Sequence, residues 1–120
     1  MKILMVDDSN TMRRILLNQL KAAGINDILE ASNGEEALKC LESNMPINLI
    51  ILDINMPILD GMATLRAVRA DNKYKDVKIV MVTSESEKTK VMECIAAGAN
   101  DYLVKPFTPD NLFKKLGINT

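Results

Sequence analysis

Short, unbroken apolar runs alternate along the chain with stretches that repeat apolar residues every three or four positions. The runs are Ile3-Leu4-Met5-Val6, Ile28-Leu29, Leu49-Ile50-Ile51-Leu52, Ile79-Val80-Met81-Val82 and Tyr102-Leu103-Val104. Most are continuous rather than alternating, as expected of strands covered on both faces of a parallel sheet. The first helical stretch is the best marked. Met12, Ile15, Leu16, Gln19, Leu20 and Ala23 fall at i, i+3, i+4, i+7, i+8 and i+11, with only Gln19 interrupting the apolar stripe. Gly24 stands where a C-terminal cap belongs. A second helix is predicted from Glu35 to Ser43 after Asn33-Gly34, with Ala37, Leu38 and Leu41 inward. A third is predicted from Gly61 to Ala70, with Met62, Leu65 and Val68 inward. A fourth runs from Ser86 to Ala97, with Val91, Met92 and Ile95 inward and Gly98 after it. The last starts at Thr108-Pro109-Asp110, where a hydroxyl cap, a first-position proline and an acid suit a helix N-terminus. It ends near Gly117, leaving room for about two turns.

Strand and helix in strict alternation predict an α/β fold of the (βα)5 kind. Five parallel strands are joined by right-handed crossovers, with helices on both faces of the doubly wound sheet. One domain over residues 1–120 is expected. Ligands of such sheets bind outside the carboxyl ends of the strands, where the strand order reverses.

Composition removes several alternatives. No stretch of about 18 apolar residues is present to span a membrane, and the N-terminus has no long apolar segment with a small-residue cleavage site. A cytoplasmic protein is expected. Fifteen basic against sixteen acidic residues give a net charge of −1, without the basic excess that nucleic-acid binding uses. Histidine is absent, which excludes imidazole catalysis, His metal ligands and a phosphohistidine carrier. Cys40 and Cys94 lack CxxC spacing and read as reduced thiols. Four aromatic residues make no base-stacking platform.

The strand ends carry the chemistry. Asp7-Asp8-Ser9 follow the first strand, Asp53-Ile54-Asn55-Met56-Pro57 the third, Thr83-Ser84-Glu85 the fourth and Lys105-Pro106-Phe107 the fifth. Taken singly, each acid reads equally as a helix cap or a solvated loop residue, and Lys105 as a surface lysine. Together they bring three carboxylates, a hydroxyl and an ammonium to one edge. Three carboxylates in one cleft repel each other, and one takes up a proton unless a cation compensates. Oxygen ligands of this kind suit Mg²⁺. Other occupants of this architecture fit poorly. Asp7-Asp8 would repel a flavin phosphate, and neither GxGxxG nor GxxxxGK[ST] is present. Asn55 stands where a haloacid-dehalogenase-type phosphatase has its second acid.

Val6-Asp7-Asp8-Ser9, Asp53-Ile54-Asn55-Met56-Pro57-Ile58-Leu59-Asp60-Gly61, Val82-Thr83-Ser84 and Gly98 through Phe107 resemble the receiver domain of two-component response regulators. The match covers roughly Met1 to Leu116, and the short form is similar to the CheY-like, single-domain chemotaxis members. The resemblance implies a flavodoxin-like strand order 2-1-3-4-5, which the periodicity alone does not supply. It implies that Asp53 is the phosphoacceptor and that Asp8 binds Mg²⁺ directly. Asp7 then acts through metal-bound water, and Asn55 offers its backbone carbonyl. Thr83 and Lys105 then contact the phosphoryl group, as do backbone N–H groups near Ile54 and Ser84. Tyr102 holds the aromatic switch position, against the alternative of a surface aromatic on an edge strand. The Lys105–Pro106 bond is expected to be cis, and Asn55 and Glu85 are expected to tune access of hydrolytic water.

The donor implied is a phosphohistidine on a histidine kinase. The output partner is a protein such as the flagellar motor switch, and a separate phosphatase is a further candidate partner. A monomer is expected, without direct nucleic-acid or membrane binding. Such a protein promotes only its own phosphorylation and dephosphorylation and is not otherwise an enzyme. A receiver of a transcriptional regulator, a phosphorelay intermediate and a small Asp-dependent phosphatase remain the alternatives. Two departures from the family pattern stand out: the last helix is short, and Ile54 replaces a tryptophan found in several chemotaxis members.

Overall fold

The computed structural model describes residues 1–84 and 88–117. Its elements are β1 (Lys2–Val6), α1 (Asn10–Ala22), β2 (Asp27–Ala31), α2 (Gly34–Asn44), β3 (Leu49–Asp53), α3 (Gly61–Arg69), a 3-10 turn (Asn72–Tyr74), β4 (Lys78–Ser84), α4 (Lys88–Ala96), β5 (Asp101–Lys105) and α5 (Pro109–Leu116). The sheet is parallel throughout, in the order β2-β1-β3-β4-β5. The order reverses between β1 and β3, so the crevice outside their carboxyl ends is the place to look for a site.

Strand residues of alternate parity fill two separate cores. Leu4, Val6, Ile50, Leu52, Ile79 and Met81 pack against Ala37 and Leu41 of α2, Leu65 and Val68 of α3, and Val91 and Cys94 of α4. Ile3, Met5, Leu49, Ile51, Val80 and Val82 face the other way, onto Leu16 and Leu20 of α1 and Leu112, Phe113 and Leu116 of α5. Burial on both faces is why these strands read as continuous apolar runs.

The helix ends follow from local chemistry. Ser9, Asn33, Asp60 and Thr108 cap α1, α2, α3 and α5 with side-chain oxygens that accept from backbone N–H groups. Gly24 takes φ +88 just past α1, a conformation open to glycine at little cost. At the opposite end of the sheet, the Arg69 guanidinium donates to the carbonyls of Gly98, Tyr74 and Val77 and to the Asn100 side chain. One planar cation thereby ties the α3–β4 and α4–β5 connections together.

Two expectations need correction, and one element was missed. On α4 the inward pair is Val91 and Cys94, whereas Met92 is 71% exposed and Ile95 also faces solvent. A helix this short buries one i, i+3 pair, and the small Cys94 takes the place assigned to Ile95. On α1, Ile15 is exposed, and Leu16 and Leu20 carry the contact. The turn at Asn72–Tyr74, which buries Tyr74, gave no periodic signal. The expected start of the fourth helix at Ser86 lies outside the described residues.

Among the described residues, one non-glycine backbone position is strained. Ile58 has φ +70 and is 76% exposed. A β-branched side chain in the left-handed region costs about 1–2 kcal/mol, and no burial of the side chain offsets it. Ile58→Gly is therefore expected to stabilise the protein by about 0.5–1 kcal/mol after allowing for the extra freedom of glycine in the unfolded chain. The measurement is the urea midpoint. An unchanged or lower midpoint at constant m-value would show that the loop is not strained.

Candidate functional site

Strand register sets the site. Val6 pairs with Leu52, Leu52 with Met81 and Asp53 with Val82, while Thr83 pairs with Val104 and Ser84 with Lys105. Asp7 and Asp53 thus leave neighbouring strands at the same level, on the two sides of the reversal in strand order. Asp7, Asp53 and Thr83 are buried, and Asp8 is exposed beside them. Oxygens of Asp7, Asp8 and Asp53 all lie within 4.8 Å of one another.

Each carboxylate is held in its own way. Asp7 Oδ1 accepts from the backbone N–H of Ser9 at 2.9 Å, and its carbonyl accepts from the Arg13 guanidinium. Asp8 caps nothing, since Ser9 is the cap of α1. Behind Asp53 the β3–α3 connection folds back, and the Gly61 N–H donates to the Ile54 carbonyl at 2.8 Å. A Cβ at position 61 would lie 2.2 Å from the Asp53 carbonyl oxygen, so only glycine lets the loop close there.

The Lys105 ammonium lies between two of the acids. It is 3.2 Å from Asp7 Oδ2 and 3.6 Å from Asp53 Oδ1. One cation does not balance three anions. Burial, and after it the charge of Asp7, pushes the Asp53 carboxyl up to about 6; Lys105 pulls against this and Asp8 adds to it. An all-oxygen donor set with surplus negative charge fits a hard divalent cation. Asp7, Asp8 and Asp53 form an acidic pocket suited to one.

The remaining candidates are placed as follows. The Thr83 hydroxyl donates to the Ser84 carbonyl at 3.1 Å. β4 runs through Ser84, so Thr83 lies within the strand and not in a loop. The Ile54 N–H donates to the Val82 carbonyl at 3.1 Å, so in this state it is not a spare donor for a ligand. Asn55 is exposed, and its Oδ1 accepts from Lys90 Nζ at 3.4 Å. Glu85 lies outside the described residues. The Lys105–Pro106 peptide is cis, as is Met45–Pro46. Tyr102 is exposed on β5, with the Lys115 ammonium 4.8 Å from its ring centroid. Sequence reasoning missed Arg13 and Lys90. Each lies on a helix whose periodicity marks it only as outward.

Sheet and cleft define a doubly wound α/β domain with a carboxylate pocket at the reversal point. The chain belongs to the response regulator receiver domain family, whose model matches residues 3–117. It is 47% identical to the chemotaxis protein CheY1 of Helicobacter pylori strain J99, over 98% of this chain and 95% of that protein. It is 48% identical to the CheY homolog of Campylobacter jejuni strain 81-176, over 97% of this chain and 89% of that one. Among solved structures, the chemotaxis response regulator CheY4 of Vibrio cholerae superposes with a TM-score of 0.88 at 39% identity, covering 97% of this chain and 95% of that one. Among the described residues no helix is long and apolar enough to cross a membrane.

The raised Asp53 pKa has a sign that solution work can read. A carboxyl raised in the fold stabilises below its ordinary value near 4, and the contribution is lost as pH rises through about 6. In chelator, the wild type should lose about 1–2 kcal/mol relative to Asp53→Asn between pH 4 and pH 7, less than the full shift because Asp53 is not wholly shielded from water. Chemical denaturation across that range is the measurement. Parallel pH curves for the two proteins would show that the acids do not interact as placed.

Proposed function

We propose that this receiver is a phosphorylation-controlled switch whose phosphoacceptor is Asp53. The observation that supports this best is the placement of Asp53. It is a buried carboxylate at the reversal point, flanked by two further acids on one side and a lysine on the other. Asp53 Oδ attacks the phosphorus of a phosphohistidine on a histidine kinase. The P–N bond breaks, the imidazole leaves with the bonding pair, and an aspartyl phosphate forms. Asp7, Asp8, Asp53 and the Asn55 carbonyl would hold Mg²⁺, which when bound supplies positive charge beside the transferring oxygens.

This chain's own groups do the rest. Lys105 already reaches Asp53 and pairs with the incoming phosphoryl oxygens. The Thr83 hydroxyl exchanges the Ser84 carbonyl for the same oxygens. Its displacement opens space toward Tyr102, whose inward turn changes the surface of α4, β5 and α5. Added charge of roughly −1.5 to −2 units drives the change. The chain works as a single cytoplasmic receiver domain and a monomer, promoting only its own phosphorylation and dephosphorylation. Its output partner is a protein, and the chemotaxis names of its relatives favour the flagellar motor switch.

The test uses labelled acyl phosphate with Mg²⁺. Wild type should take up close to one equivalent, and Asp53→Asn should stay folded and take up none. Stable label at another carboxylate of that variant would overturn the assignment, and release of many equivalents would point to a phosphatase.

Lys105→Ala separates chemistry from signalling. It should bind Mg²⁺ as well as or better than wild type and accept some label, yet lose the gain in partner affinity that beryllofluoride gives the wild type. An undiminished activation ratio would reduce Lys105 to a surface lysine.

A further inference from the structure

We propose that Arg13 is a positioning residue of the cation pocket: it ties the peptide between Asp7 and Asp8 to Glu30 on the edge strand β2, and so places Asp8 for Mg²⁺ in advance. The inference rests on the reading of Asp7, Asp8 and Asp53 as the Mg²⁺ site. Arg13 lies near the start of α1, and its guanidinium spreads over three acceptors. It donates to the Asp7 carbonyl and to Asn10 Oδ1, and its Nε lies 3.2 Å from Glu30 Oε1. The Arg13 side chain is only 14% exposed. Glu36 borders the same hollow, but its carboxylate accepts from the N–H and the hydroxyl of Ser32, at 2.8 Å each. Among the described residues, Glu30 is the acid paired with Arg13. A cation so near a helix N-terminus opposes the helix dipole, so the stability of α1 does not account for it.

The backbone between Arg13 and the pocket is held from both sides. The Asp7 N–H donates to the Ala31 carbonyl at the end of β2 at 3.1 Å, and the Asp7 carbonyl accepts from Arg13. That carbonyl belongs to the rigid peptide plane that joins Asp7 to Asp8, so fixing it fixes the Asp8 Cα. The Asp7 side chain has a hold of its own on the Ser9 N–H. Asp8 is exposed, and among the described residues its carboxylate makes no hydrogen bond or ion pair. An oxygen of Asp8 nonetheless lies within 4.8 Å of oxygens of Asp7 and Asp53, which repel it. Without the Arg13 anchor that repulsion would swing Asp8 outward, and cation binding would have to order it again. Ordering the backbone of one residue corresponds to about a five- to thirtyfold loss in affinity. Charge alone predicts the opposite sign, since removing a cation next to Asp7 would tighten the hold on Mg²⁺.

The experiment titrates Mg²⁺ calorimetrically into wild type, Arg13→Ala, Arg13→Lys, Glu30→Ala and Glu30→Gln. Arg13→Ala should bind Mg²⁺ about five- to thirtyfold more weakly than wild type. Arg13→Lys should fall between them, because it keeps the charge but not the fork that spans the Asp7 carbonyl and Glu30. Glu30→Ala should weaken binding in the same direction, and it carries the test should Arg13→Ala fail to fold. Glu30→Gln should stay near wild type, since its amide oxygen still accepts from Arg13. In chelator, the NMR order parameter of the Asp8 backbone amide should fall in Arg13→Ala and Glu30→Ala and hold in Glu30→Gln. Equal or tighter Mg²⁺ binding by Arg13→Ala would overturn the role of Arg13, and so would equal weakening by Glu30→Ala and Glu30→Gln, which charge alone produces. Either result leaves the pocket as the Mg²⁺ site. A wild type that binds no Mg²⁺ would overturn both.

Discussion

The carboxylates of Asp7, Asp8 and Asp53 repel one another, and the sheet beneath holds them within 4.8 Å. Nothing in their own chemistry favours that approach. It is sustained by apolar burial on both faces of β1 and β3, whose register fixes Asp7 and Asp53 at one level. Lys105 offsets part of the repulsion from β5, and the rest appears in the raised Asp53 carboxyl. The pocket is thus high in energy without a cation, and binding one relieves it. The same feature prepares the proposed chemistry, because a nucleophilic carboxylate is useful only in the ionised form that added positive charge secures.

The loops make the pocket narrow and leave it little room to relax. Asp7 is tied to Ser9 and Arg13 through its side chain and carbonyl. The connection after Asp53 closes so tightly onto the strand that position 61 admits no side chain. The strained Ile58 lies within that same turn. In the proposed switch, such rigidity would direct the effect of an added phosphoryl group outward, since backbone so constrained has little room to yield locally.

Most of the architecture was legible in the sequence because its physical cause is repeated along it. Apolar runs mark doubly covered strands, and Gly24, Asn33, Thr108 and Gly117 mark helix ends by conformational or hydrogen-bonding need. The convergence of Asp7, Asp53 and Lys105 was legible for a different reason: residues at carboxyl ends of parallel strands meet whatever the details of packing. The strand order was legible only through the family. Helix rotation was not. Val91 and Cys94, rather than Ile95, face inward on α4 because of shape at one contact, which periodicity over so few turns does not resolve. Lys90 escaped for the same reason, since its meeting with Asn55 depends on where α4 lies over the sheet.

The placement of Thr83 suits the proposed route from charge at the pocket to a distant surface. Paired residues of adjacent strands share a face, and Thr83 pairs with Val104 while Met81 pairs with Tyr102. Thr83 and Tyr102 are therefore diagonal neighbours on the face that α4 covers. Among the described residues, the Thr83 hydroxyl donates to a neighbouring backbone carbonyl, a bond worth about 1 kcal/mol net. A charged phosphoryl oxygen is the stronger acceptor by roughly a factor of two, so in the proposed switch it would draw the hydroxyl toward it. Tyr102 has weak ties outside, an edge-strand position and one lysine near its ring. Two weakly held groups on one face, between a rigid pocket and an exposed edge strand, are what the proposed switch would need for a local change in charge to be read as a change in surface.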